Sequence, residues 1–136
     1  MTESARASGQ QAIELILMRQ LALHLSTPVF IVDALGALLY YNEAAERLLG
    51  RAYEENDEMP VTEWALGFRP RREDGQALRP EELPLTIALT QRRPGFLSPV
   101  RIMGSDDVER RIAILAFPLD GQQARNLGAV AIFWEV

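Results

Sequence analysis

The residue types that carry most protein chemistry are scarce in this chain. It has no cysteine and a single histidine, His24. Without cysteine there is no disulfide, no thiolate nucleophile and no Fe–S cluster, and most structural zinc sites are out of reach. One imidazole cannot assemble a multi-histidine metal centre. His24 also has no serine in a strained-turn motif such as G-x-S-x-G to activate. Carboxylates come in neighbouring pairs, Glu81-Glu82 and Asp106-Asp107, but adjacency in loop-like segments predicts solvated turns, not an acid facing a base. The acidic run "EENDE" at 54 to 58 lacks the spaced ligands and glycine turn of a calcium loop. The residues therefore predict neither a catalytic site nor a metal site, and His24 reads as a surface or partly buried imidazole. An apolar pocket for a small ligand stays open, against the alternative that the same side chains simply fill the core. The candidate pocket residues are Trp64, Phe68, Leu85, Leu89, Ile112, Ile114 and Phe133. Trp64 is the informative one, because a buried indole N–H requires an acceptor. Thr86 and Thr90 could add hydroxyls.

Charge narrows the partners further. The formal net charge is -5 and the pI about 4.9, and the basic residues are scattered. Phosphate backbones are held by clustered Lys and Arg, so no nucleic-acid partner is expected. The densest basic spot, "RPRRED" at 69 to 74, ends in acids and reads as a solvated loop. No run approaches the ~20 apolar residues that cross a bilayer, and "MTESARASGQQ" is not a secretory leader. The expectation is a cytoplasmic protein with no membrane partner. With 136 residues, 48% hydrophobic and 24% charged, the chain has the make-up of one soluble globular domain.

The elements that would position those residues are punctuated clearly. Residues 1 to 10 are small and polar and are expected to be a disordered tail. "QAIELILMRQLALHL" at 11 to 25 is a helix without Gly or Pro, closed by Pro28. Ile13, Leu17 and Leu21 form one apolar stripe; Leu15, Met18, Ala22 and Leu25 form a second. A helix on one core keeps a coherent polar face, and this one barely does. It is therefore expected to be buried on two sides, with Ile13, Leu17 and Leu21 pairing against another copy; the alternative is a helix lying deep in a groove of its own domain. "PVFIVD" and "ALLYY" read as strands joined by an Asp33 to Gly36 turn. Asn42 caps a helix that Gly50 ends. "VTEWALGF" at 61 to 68, with Thr62 as a candidate cap, and "LPLTIALTQRR" at 83 to 93 read as helices, with Leu85, Ala88 and Leu89 facing inward. "LSPVRIM", "VERRIAILAFPL" (ended by Pro118) and "LGAVAIFWEV" read as antiparallel strands, with Val100 and Ile102 on one face.

This order and these residues resemble the PAS domain family. The matching positions of the opening motif are Asp33, Gly36, Tyr41, Asn42, Ala44, Ala45, Glu46, Leu48, Leu49 and Gly50. "DGQALRPEELPLTIAL" is similar to the family's segment leading into its long helix, and the last two strands match as well, so the resemblance spans about residues 12 to 136. It implies an α+β fold: a five-stranded antiparallel sheet with helices on one face, a small pocket between, and an N-terminal capping helix over residues 11 to 26. The core would be 27 to 136.

The resemblance also implies sensing or pairing in a signalling regulator, and few relatives are enzymes. Relatives that form a covalent flavin adduct or anchor a cinnamate need a cysteine, which is missing here. Haem-binding relatives take a histidine near the long helix, and "LPLTIALTQRR" has none. Non-covalent flavin stays open. The expected partners are a second copy through the N-terminal helix, a small apolar ligand, and an effector domain or partner protein. Two readings stand: a ligand-responsive sensor, or a ligand-free pairing module with a filled core.

Overall fold

The computed structural model describes residues 13 to 54 and 59 to 136. The expected tail at 1 to 10, the first two residues of the expected helix and most of "EENDE" lie outside the described residues.

Helix α1 (Ile13–Leu23) precedes β1 (Val29–Val32) and β2 (Leu38–Tyr41). Helices α2 (Glu43–Leu49) and α3 (Val61–Gly67), a short 3-10 turn (Pro80–Glu82) and α4 (Pro84–Gln91) follow. Strands β3 (Gly95–Met103), β4 (Glu109–Asp120) and β5 (Asn126–Glu135) complete the chain. The five strands form one sheet in the order β2-β1-β5-β4-β3, and every pairing is antiparallel. The last strand thus enters the centre, with Phe30 opposite Ala131.

Side chains alternate across a strand, and here the alternation separates two cores. Phe30 and Val32 of β1 join Ala129, Ala131 and Phe133 of β5 in the large core under α2, α3 and α4. Val29, Ile31 and Val130 face the other way, where Leu15, Met18 and Ala22 of α1 cover them. The two-sided covering explains why β1 is an unbroken apolar run: all four of its residues are buried.

Local chemistry sets the boundaries. Asp33 Oδ1 accepts from the N–H groups of Leu35 (2.9 Å) and Ala37 (3.0 Å), closing the first hairpin. Asn42 caps α2 by accepting from the Ala45 N–H, and Gly50 ends it in the left-handed region at φ 69°. A Cβ at Gly50 would strike the Asp106 carboxylate, and one at Gly128 (φ 129°) would strike the Val32 carbonyl. Both positions require glycine for space as well as for φ.

Among the boundaries that differ from expectation, two have a clear cause. Strand β4 continues through Pro118, which pairs with Ala129. By then β3 has ended, its first residue Gly95 lying opposite Ala116, so β4 has a free edge there and a missing N–H is tolerated. Helix α3 has Pro60 at its cap position, which places Thr62 inside its first turn.

Candidate functional site

The expected chemical groups are engaged elsewhere. Among the described residues no group of three or more His, Cys, Asp and Glu side chains could hold a metal, and His24 is exposed on the turn after α1. Glu82 accepts from the Arg79 N–H at 3.0 Å and pairs with Arg72. Asp106 holds the β3–β4 turn: it accepts from the Val108 N–H (3.1 Å) and takes both Arg110 nitrogens, at 3.2 and 3.0 Å. Those bonds from Arg110 and Val108 hold the Asp106 carboxyl below its ordinary pKa. Of the basic spot, Arg72 is tied to Glu82, while its neighbour Glu73 receives Arg111 at 2.7 Å. No helix among the described residues is long and apolar enough to cross a membrane.

The candidate site is a cavity of about 90 Å³ between the sheet and its helices. Trp64 and Phe68 of the α3 region, Leu85 of α4, Ile112 and Ile114 of β4, and Phe133 of β5 all stand on its wall. Leu89, the seventh candidate, is buried in the same core but is not part of the wall. Phe30, Leu49, Pro70, Leu83, Pro84, Ile102 and Ala131 complete the wall. Strand alternation could have found Phe30, Ile102 and Ala131. Pro70 comes from a loop whose path no periodicity reveals, and Leu83 stands at the cap position of α4.

The wall is almost wholly apolar. Its one side-chain donor, the Trp64 indole N–H, is spent on the Gly36 carbonyl at 2.7 Å. Thr86 and Thr90 lie off the wall; Thr90 donates to the Thr86 carbonyl at 2.8 Å. A water in such a void would find almost no hydrogen-bond partner. The cavity therefore suits an uncharged, apolar occupant. It is far below the ~300 Å³ at which drug-sized ligand sites begin.

The second candidate surface is α1. Its Leu15, Met18 and Ala22 stripe is docked on the sheet. Ile13, Leu17 and Leu21 face outward, 66%, 60% and 54% exposed. Phe96 and Trp134, on the same sheet face, are also exposed, with ring centroids 6.4 Å apart.

A single residue organises the junction between these surfaces. Asn42 is 1% exposed. Its Oδ1 accepts from the N–H groups of Val29 and Ala45, both at 3.0 Å. Its Nδ2 donates to the carbonyls of Ala22 and Thr27, both at 2.9 Å. One amide thus ties the end of α1, the start of β1 and the start of α2. The capping half of this role is readable from sequence; the donor half depends on how α1 folds back.

Comparison with known proteins agrees with this geometry. A family model described as "PAS domain" matches residues 17 to 84. No curated protein matches the chain by sequence. The fold is similar to the PAS domain of nitrogen regulation protein NR(II) from Vibrio parahaemolyticus, at 19% identity and a TM-score of 0.62, covering 88% of this chain and 98% of that one. It is similar to a PAS domain from Colwellia psychrerythraea, at 16% identity and a TM-score of 0.60, covering 90% and 96%. The PAS domain of the fruit-fly ELK potassium channel gives 10% identity and a TM-score of 0.68, covering 90% and 96%. At such identities the structural likeness establishes the fold alone.

Proposed function

The chain belongs to the PAS domain family, generally a family of sensing and interaction modules, and from that premise we propose that it is a signal-sensing module that works as a pair. The observation that carries this reading is α1, docked by one apolar stripe while Ile13, Leu17 and Leu21 face outward. The magnitudes are of the right order for pairing. Six such side chains across a symmetric dimer, each only a little over half exposed, contribute at about 1 kcal/mol apiece roughly 6 kcal/mol. Association costs about 4–15 kcal/mol, so the stripe offsets a large part of it. Phe96 and Trp134 supply further apolar area on the same face.

Within each copy, the cavity is the sensing site, for a small, uncharged, apolar molecule. A flavin or a haem would need the helices to move off the sheet. An effector domain or partner protein reads the geometry of the pair, and the domain itself is not a catalyst. A second reading is favoured by the small volume and the spent indole N–H: a pairing module that binds no ligand.

Native mass spectrometry of the protein as purified tests both. A dimer with additional small-molecule mass supports sensing. A dimer of bare chains supports the second reading, and a monomer at micromolar concentration contradicts pairing.

A further inference from the structure

The two cores on opposite faces of the sheet meet at one side chain. Among the described residues, Tyr53 is the one packed against both. It follows α2 and passes around β2, which is an edge strand. Tyr40 and Tyr41 are consecutive on β2, so their rings stand on opposite faces. The Tyr53 ring meets both edge-on, with centroids 5.0 Å from Tyr40 and 5.4 Å from Tyr41. Its hydroxyl donates to the Leu39 carbonyl at 2.6 Å, and its N–H donates to Glu46 Oε2, also at 2.6 Å.

The contacts continue on both sides. Toward the cavity, Tyr41 stacks on Phe30 (5.6 Å, 2° between planes), and Phe30 meets Trp64 edge-on at 6.0 Å; Phe30 and Trp64 are wall residues. Toward α1, the Arg19 guanidinium lies 4.7 Å from the centre of the Tyr40 ring and 5.9 Å from that of Tyr53.

We propose that Tyr53 is a positioning residue that couples the cavity to the docking of α1, by a route around the β2 edge instead of through the central strands. Rigid rings in mutual contact transmit displacement because a packed interior has little free space to absorb it. A change in the wall that moves Phe30 shifts Tyr41 and Tyr53, and the shift arrives at the seat of Arg19. Energetic coupling between two sites is reciprocal, so pairing through α1 also alters the cavity. The coupling gives the cavity of the proposed sensor its output, and to that extent it rests on that reading.

The experiment perturbs the cavity by substitution, so it does not depend on a ligand being found. Hydrogen exchange of the α1 amides is measured in the full chain, with and without the wall substitutions Ala131→Val and Ile114→Phe. With Tyr53 in place, the exchange rates of α1 change by about fivefold or more, the lower end of ordinary coupling between sites. In a Tyr53→Leu background, or Tyr53→Met where Leu does not fold, the same substitutions change them less than about twofold. Unchanged α1 exchange with Tyr53 present, or an undiminished response without it, overturns the proposal. Native mass spectrometry reports separately on ligand and pairing, so a failure of the sensing reading is not confused with a failure of this route.

Discussion

The side-chain amide of Asn42 donates to the Ala22 carbonyl at 2.9 Å while its oxygen accepts from the Ala45 N–H at 3.0 Å. One buried group therefore starts α2 and fastens α1. The two jobs use different atoms and can be separated by substitution.

Asn42→Asp keeps an acceptor for Val29 and Ala45 but turns a carboxylate toward the carbonyls of Ala22 and Thr27. Helix α1 should come off the sheet while the core stays folded, seen as fast hydrogen exchange confined to residues 13 to 25. Asn42→Ala removes both roles and leaves buried N–H groups unpaired, costing about 3 kcal/mol. Slow α1 exchange retained in both variants would show that the donor bonds do not hold the helix.

Trp64→Phe should enlarge the cavity and orphan the Gly36 carbonyl. The expected loss is about 2–3 kcal/mol in denaturant unfolding. An unchanged midpoint would mean that neither the indole bond nor the wall packing matters to stability.

Asp106 gives a pH dependence. Its pKa is lowered in the folded chain, chiefly by the Arg110 side chain and then by the Val108 N–H. A depressed carboxylate contributes stability above its unfolded pKa and loses it as pH falls through the folded value. The contribution should thus be present at neutral pH and fade below about pH 4. Urea midpoints of wild type and Asp106→Asn should differ at pH 7, and the gap should narrow as pH falls from 4 to 3. A constant gap across that range would contradict the assignment.

Much of the fold was legible because its boundaries carry their own chemistry. Asp33, Asn42 and Gly50 do locally what their types predict. The two stripes of α1 were readable from helical spacing, and Leu15, Met18 and Ala22 are the docked one. Six of the seven pocket candidates stand on the cavity wall. Leu89 does not, because helical spacing says that a residue faces inward but not whether it meets neighbours or a void. Pro118 misled because a proline stops a strand only where its N–H is needed. The strand order and the double role of Asn42 were beyond reach, since both join segments far apart in the chain. Tyr53 gave no periodic signal at all; its position is set by the loop that carries it around β2.

The pairing claim has the most direct test in the oligomeric state. Light scattering of the wild-type chain should give the mass of a dimer, and Leu17→Glu combined with Leu21→Glu should give a folded monomer. Both side chains are exposed on α1, so the substitutions leave the cores untouched. A dimer that persists unchanged in the double variant would contradict pairing through this helix.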